Sequence, residues 1–565
     1  LGAPEYQARE QAESELRKLG LEVFELLHEA EGHPDLEIKL RARAMLHDLR
    51  GRYVLRDLSP GLQRLLADYE DLESNERLFL LGRIALLLPQ EGVDAMTRLA
   101  RFEREELIAK FAAGRLMLAS LPKDPVRRAE IGTMISQNLG TSDRTSVQWL
   151  RLFSRALMDP HQVGSQWEAV IGHETGLATD ERRGAASVAF ARHLRIAYAE
   201  ALLAADRAPD AQRWIQEVSD QRDMDEEERF DWLVWLVDHQ QWDALDRFAA
   251  PFAAAATSSK ALYMLAESYD RRGRASDARA TMEKAVEVPG PLSSRKELAD
   301  WLYNERGQYA WAEAEYRRAM GDPTGEAVVY LSAAQDFAAM LHDLERDREA
   351  AEVLQEVAQR SQDDEPVRTA WEQSPLAKKR MLTLVHLYQA EEHRRQGEAT
   401  PQRELLQKAF DNDPSDIETL IAMYNVEGAP AEWRETTSNR IRAACQAFEL
   451  KIRQLQAEVE IASLEDALRG RFELANVCNE FAWLVSNTEG DFARAVQFSR
   501  LSLDCAPGTE AYMDTLGRCY YAQGDVAQAI HFQQMASERA PYAQQIQRQL
   551  ALFLKARDDA PPHGS

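Results

Sequence analysis

At 565 residues the chain is several times the length of an ordinary domain, so it forms either several domains or one extended array. Its 45% hydrophobic and 29% charged residues, rich in alanine, leucine, glutamate and arginine with few β-branched runs, favour an all-α fold over a sheet. A net charge of -26 repels phosphate backbones and anionic membrane surfaces, which argues against nucleic acid as a partner.

The first 121 residues open with two related stretches, "APEYQAREQAESEL" and "HPDLEIKLRARAML". Pro4 aligns with Pro34, Tyr6 with Leu36, Ala8 with Ile38, Arg9 with Lys39 and Ala12 with Ala42, and each stretch starts a helix with a proline and an acid. Between them "HEAEGH" sets His28 and His33 five apart, whereas a zinc protease motif needs two histidines four apart on one helical face. These histidines are therefore assigned to a helix end and turn. "RLFLLGRIALLL" carries Arg77 and Arg83 and is far shorter than the roughly 20 residues of a membrane span, so no transmembrane segment is expected. A third helix, turn, helix stretch, "LPQEGVDAMTRLARFEREELIAKFAAGRLML", completes a set that resembles HEAT-type repeats.

Residues 122–258 hold amphipathic runs such as "SVAFARHLRIAYAEALLAA" and "RFDWLVWLVDHQQWDALDRFA" without a shared consensus, and are read as degenerate helical repeats. From 259 to 430 a period emerges. Ala266, Tyr269, Gly273, Ala278 and Ala285 in one copy are followed by Tyr303, Gly307, Ala312, Tyr316 and Ala319 in the next, and Tyr269 and Tyr303 stand 34 apart. Weaker copies span about 332–365 and 383–416. In the latter, His386 and His393 occupy places four and eleven, which are normally core, so they are expected to pack rather than to bind metal. Lys378, Lys379 and Arg380 read as a solvated helix face.

The segment 431–468 departs from the period. Ile441, Cys445, Phe448, Ile452, Leu455, Val459 and Ala462 are spaced alternately four and three apart, a coiled-coil seam on one long helix. The seam either packs on the following helix of the same chain or joins two chains through Ile441, Phe448, Ile452, Leu455 and Val459, giving a homo-oligomer.

Residues 469–556 carry the clearest signal. Pro507 and Pro541 are 34 apart, and "YMDTLGRCYYAQGDVAQAIHFQQMASERAP" places Gly517 and Ala529 where two antiparallel helices must touch, Tyr520 beside them, and Pro541 where the second helix must stop. The preceding copy keeps Ala482, Gly490, Ala495 and Pro507 in phase but puts Trp483 at the small-residue place. This pattern resembles the tetratricopeptide repeat. Residues 557–565 are expected to be a disordered tail. Cys445, Cys478, Cys505 and Cys519 form no CxxC pair; buried free thiols are the default, and a Cys478–Cys505 or Cys505–Cys519 bridge stays open for an exported protein.

Together the segments resemble a HEAT-like start running into a tetratricopeptide α-solenoid, as in large bacterial helical-repeat proteins. The resemblance implies a concave groove and exposed groove positions at Tyr263, Glu267 and Arg271; Glu297, Trp301 and Asn304; Glu391, Arg394 and Arg395; and Asp514, Arg518 and Tyr521. Of these, Trp301 is the foremost anchor candidate. The lysine and asparagine set by which some tetratricopeptide domains hold a peptide's C-terminal carboxylate is missing. No GxxxxGK, GxGxxG after a strand, or GxSxG occurs, so the expectation is a non-catalytic scaffold or assembly subunit that binds other proteins or peptides, with no cofactor and no metal. A coat-like homo-oligomer and a helical-repeat enzyme are the alternatives. Because the chain begins at Leu1, a soluble protein is expected either in the cytoplasm or exported after loss of a signal peptide.

Overall fold

The computed structural model describes residues 1–55, 57–88, 92–177, 184–255, 258–321, 326–461 and 464–559. All regular structure among the described residues is helical, as expected, and none of the helices is long and apolar enough to cross a membrane. The chain divides into two compact units, Leu1–Ala255 and Ala256–Ser565.

In the first unit the proline-and-acid starts do open helices, Tyr6–Leu19 and Leu36–Leu55. Asp35 accepts from the Glu37 backbone N–H at 2.9 Å, satisfying a donor that the first helical turn leaves free. The third stretch forms Gly92–Phe102 and Glu106–Met117. Packing here depends on individual buried charges. Arg77 and Glu103 pair while both are almost wholly buried, and the Tyr69 hydroxyl donates to Glu103 at 2.6 Å. Lys110 pairs with buried Glu174 at 2.6 Å and lies 5.4 Å from the Trp149 ring centre. Each such charge is tolerable only because its partner is present, so helix pairs in this unit are keyed to particular residues. The later helices Gly184–Ala204 and Glu226–Asp238 add an aromatic layer in which Trp235 lies between Trp232 and His239, with ring centres 4.7 and 4.1 Å away.

The second unit is a run of antiparallel helix pairs, including Ser259–Arg271 with Ala275–Glu287, Leu292–Asn304 with Tyr309–Ala319, Pro375–Arg395 with Ala399–Asn412, and Glu510–Gln523 with Val526–Arg539. A β-carbon on Gly517 would lie 2.8 Å from Gln533 Oε1 and 3.1 Å from the Ala529 carbonyl oxygen, so the crossing closes only around a glycine. The helix Gln544–Asp558 follows the last pair, so positions 557 and 558 of the expected tail are helical, while 560–565 lie outside the described residues.

The long helix spans Ala431–Ile461, and its seam packs within the chain. Ile441 is buried against Leu420 and Leu484, while Ile452 and Leu455 join Leu474, Cys478 and Phe481 in one core, with Phe448 against it. Val459 faces Gly470, whose β-carbon would come within 2.9 Å of it. The homo-oligomer expectation for Ile441, Phe448, Ile452, Leu455 and Val459 is therefore corrected: the following helix Leu464–Ser486 occupies the face they would have offered a second chain. Ala462 lies outside the described residues. All four cysteines are free, and burial pushes the thiols of Cys478 and Cys519 up to about 12.

One contact in this unit links segments far apart in sequence. The Tyr542 ring fills the space beside Gly307, where a β-carbon would collide with it. The Tyr309 hydroxyl donates to the Tyr542 carbonyl at 2.9 Å, and Asp343 accepts from the backbone N–H groups of Gln544 and Gln545 at 2.9 and 2.7 Å. Asp343 thus caps the last helix from a hairpin about 200 residues earlier.

Candidate functional site

The helix Pro375–Arg395 presents Arg380, Leu384, Leu387, Glu391 and Arg394 at alternating steps of four and three, with Tyr388 next to Leu387, so they share one face. Opposite them stand Asp336 and His342 from the helix Ala327–Asp343, Gln402 from Ala399–Asn412, Glu418 and Ile421 from Ile417–Tyr424, and Trp483 from Leu464–Ser486. With Gln545 they line a cavity of about 1110 Å³ within the second unit. Its wall mixes apolar patches with a few polar groups, the composition of a binding site.

Several of these groups are held in place. The Trp483 indole N–H donates to Glu418 Oε1 at 2.9 Å, and the Tyr388 ring stacks on His342 with centres 4.7 Å apart. Arg394 Nε donates to Glu391 at 2.6 Å, while Lys296 pairs with Asp336 at 2.7 Å. Asp416 caps the short helix by accepting from the Thr419 backbone N–H at 2.8 Å, which fixes Glu418 in its first turn. Glu418 is open to the water of the cavity yet ringed by protein. That enclosure, with the Asp416 carboxylate adding to it, pushes its carboxyl up to about 7 against the pull of the Trp483 donor.

Two groups are uncommitted. Arg380 is exposed and has no hydrogen bond or ion pair among the described residues. Gln402 is 2% exposed, and its Nε2 has no hydrogen-bond partner although the side chain lines the cavity. A buried amide donor without an acceptor costs on the order of 1–3 kcal/mol, so it marks a place where an incoming acceptor is stabilised.

Of the sequence-predicted groove positions, the cavity brings together Glu391 and Arg394. Tyr263, Glu267 and Asp514 are corrected, because none of the three faces solvent. Tyr263 is fully buried and donates to Glu315 at 2.6 Å; Glu267 is buried in pairs with Arg306 and Arg271; Asp514 accepts from Gln533 and, at 3.0 Å, from Gln549. Arg271 is thereby engaged as well. Trp301 is half-buried against the core, with the Arg306 guanidinium 5.9 Å from its ring centre. Glu297 and Asn304 are exposed away from the cavity. Arg395 pairs with Asp347 and donates to the Glu345 carbonyl at 2.7 Å. Arg518 is half-buried and donates to Asn487 at 2.8 Å, and Tyr521 stacks on Phe553 at 4.5 Å. Sequence reasoning missed Gln402, Glu418 and the part of Arg380. A signal existed for one wall: Trp483 stands 34 residues before Gly517, where the repeat calls for a small side chain, and that anomaly reaches Glu418.

Nδ1 of His386 is buried without a partner, and His393 meets Glu398 at 2.6 Å. Among the described residues no group of three or more His, Cys, Asp or Glu is placed to hold an ion.

No family model matches the chain, and no curated protein matches it. Similar solved structures include yeast Tom70, at 12% identity and a TM-score of 0.27 over 86% of this chain and 96% of that one. The complex Cut9–Hcn1 gives 12% and 0.23 over 84% and 99%, and the P58(IPK) TPR domain 11% and 0.17 over 73% and 99%. The fold rests on the helices of this chain itself: it is an all-α repeat protein whose second unit contains hairpins of the tetratricopeptide type.

Proposed function

We propose that the chain is a non-catalytic interaction scaffold whose second unit takes a segment of another protein into its cavity. The observation that carries this reading is the buried, unpartnered Gln402 amide in the wall of a cavity of about 1110 Å³ that the uncommitted Arg380 also lines. A polypeptide supplies what such a wall lacks, namely backbone carbonyls at regular spacing and side chains for the apolar patches around Leu384, Leu387 and Ile421. Repeated hairpins provide surface rather than a strained reacting centre, which fits binding without chemistry.

The test places a photo-crosslinking amino acid at Asn425, which is exposed and lines the cavity, and at Leu376, which is 81% exposed outside it. After irradiation in native extract, protein adducts at Asn425 that are absent at Leu376 are expected. Equal labelling at both sites, or no protein adduct at Asn425, would overturn the reading.

A further inference from the structure

The cavity wall carries four carboxylates, Asp336, Glu391, Glu418 and Glu427, against two guanidiniums, Arg380 and Arg394. Two of the carboxylates are already balanced, Asp336 by Lys296 and Glu391 by Arg394. Glu418 has a hydrogen bond from the Trp483 indole but no ion pair among the described residues. Around it stand Asp416 from the start of its own helix, His342 from Ala327–Asp343, Glu391 from Pro375–Arg395 and Trp483 from Leu464–Ser486. With Glu391 balanced by Arg394, Asp416 adds to the acidity of this corner, and the Trp483 ring beside it can take a cation or an alkyl stem against its face. The buried Gln402 amide supplies the second, independent mark of a ligand, a donor waiting for a carbonyl.

We propose that the segment taken up is basic, with a lysine or arginine side chain set against Glu418 beside Trp483 and a backbone carbonyl accepting from Gln402. The proposal rests on the scaffold reading above and adds the chemistry of the partner. A cation at Glu418 favours its ionised form, so uptake draws the carboxyl down from its raised value and releases a proton when the pH lies below about 7. Burial holds the His342 imidazole below its ordinary value, so the dependence is set by Glu418. Affinity therefore rises from pH 5.5 to 7.5 and levels off above.

The probes are three labelled dodecapeptides, four repeats of Lys-Gly-Ser, of Gln-Gly-Ser and of Glu-Gly-Ser, titrated against the full chain by fluorescence anisotropy at 0.15 M salt. The lysine peptide is expected to bind at least tenfold tighter than the glutamine peptide. Glu418→Gln should remove most of that margin and flatten the pH dependence, and Gln402→Leu should weaken the lysine and glutamine peptides alike. A net charge of -26 attracts any basic peptide weakly, so a margin that survives in Glu418→Gln is general attraction and overturns the proposal. Preference for the glutamate peptide, or no difference among the three, also overturns it. Protein adducts at Asn425 together with either result would leave the scaffold reading standing and remove only the basic ligand. Unchanged circular dichroism and melting temperature of Glu418→Gln tie its loss of binding to the site.

Discussion

The two units reach helix-on-helix packing by different means. In the first, helices are keyed together by buried charges, such as Arg77 with Glu103 and Lys110 with Glu174. In the second, which also buries the Glu267–Arg306 pair, small residues at fixed places let helices touch, as Gly517 does with Ala529, and tyrosine hydroxyls bonded to carboxylates pin the layers more often than the one Tyr69–Glu103 bond named in the first. Tyr263 with Glu315 and Tyr303 with Asp343 are examples, at 2.6 and 2.7 Å. Keyed packing fails when one partner is lost, because a bare charge stays buried. Small-residue packing fails when a side chain grows.

This difference predicts separate responses to mutation. The largest effect is expected from Glu103→Ala, which leaves the buried Arg77 guanidinium with Glu105 alone and the Tyr69 hydroxyl without its acceptor, and should cost about 3 kcal/mol. Hydrogen exchange should show early opening across Ser74–Ala85 and Gly92–Phe102 while amides of Glu510–Gln523 stay protected. Uniform loosening of both units would break the contrast. Next, Gly517→Ala should cost about 1–3 kcal/mol and act on Glu510–Gln523 and Val526–Arg539 alone, read by the same exchange experiment. The smallest effect concerns Asp514, whose carboxyl burial pushes up to about 6. A carboxyl raised in the folded state binds its proton more tightly there than when unfolded. Its contribution is therefore most favourable below about pH 4 and is lost as the pH rises through about 6. In Asp514→Asn the denaturant midpoint should lose that slope between pH 4 and 7; an unchanged slope would assign it elsewhere.

The same contrast explains what the sequence discloses. Small residues, turn glycines and a stopping proline recur at a fixed period because each hairpin repeats the same crossing, so Gly517, Ala529 and Pro541 announce their roles. Buried ion pairs have no period: Arg77 and Glu103 are 26 positions apart and Lys110 and Glu174 are 64, and nothing in either spacing links them. The site falls between these cases. Glu391 and Arg394 follow from their places in a repeat. Gln402 and Glu418 do not, because whether a polar side chain is buried or satisfied depends on helices that are distant in sequence. Tyr263, Glu267 and Asp514 failed as groove residues for the same reason, since each found a partner outside its own helix.

The cap that Asp343 places on the last helix bears on the order in which the protein comes into being. Gln544 follows Tyr309, its partner at 2.7 Å, by 235 positions. At about 5–20 residues per second, a ribosome needs about 10–50 s to add that stretch. For that interval the edge formed by Tyr303, Gly307, Tyr309 and Asp343 exists without Tyr542, Gln544 or Gln545. The cavity wall acquires Gln545 only after that stretch has been added. The nascent protein therefore presents the cavity with one side still open until the helix Gln544–Asp558 emerges to enclose it.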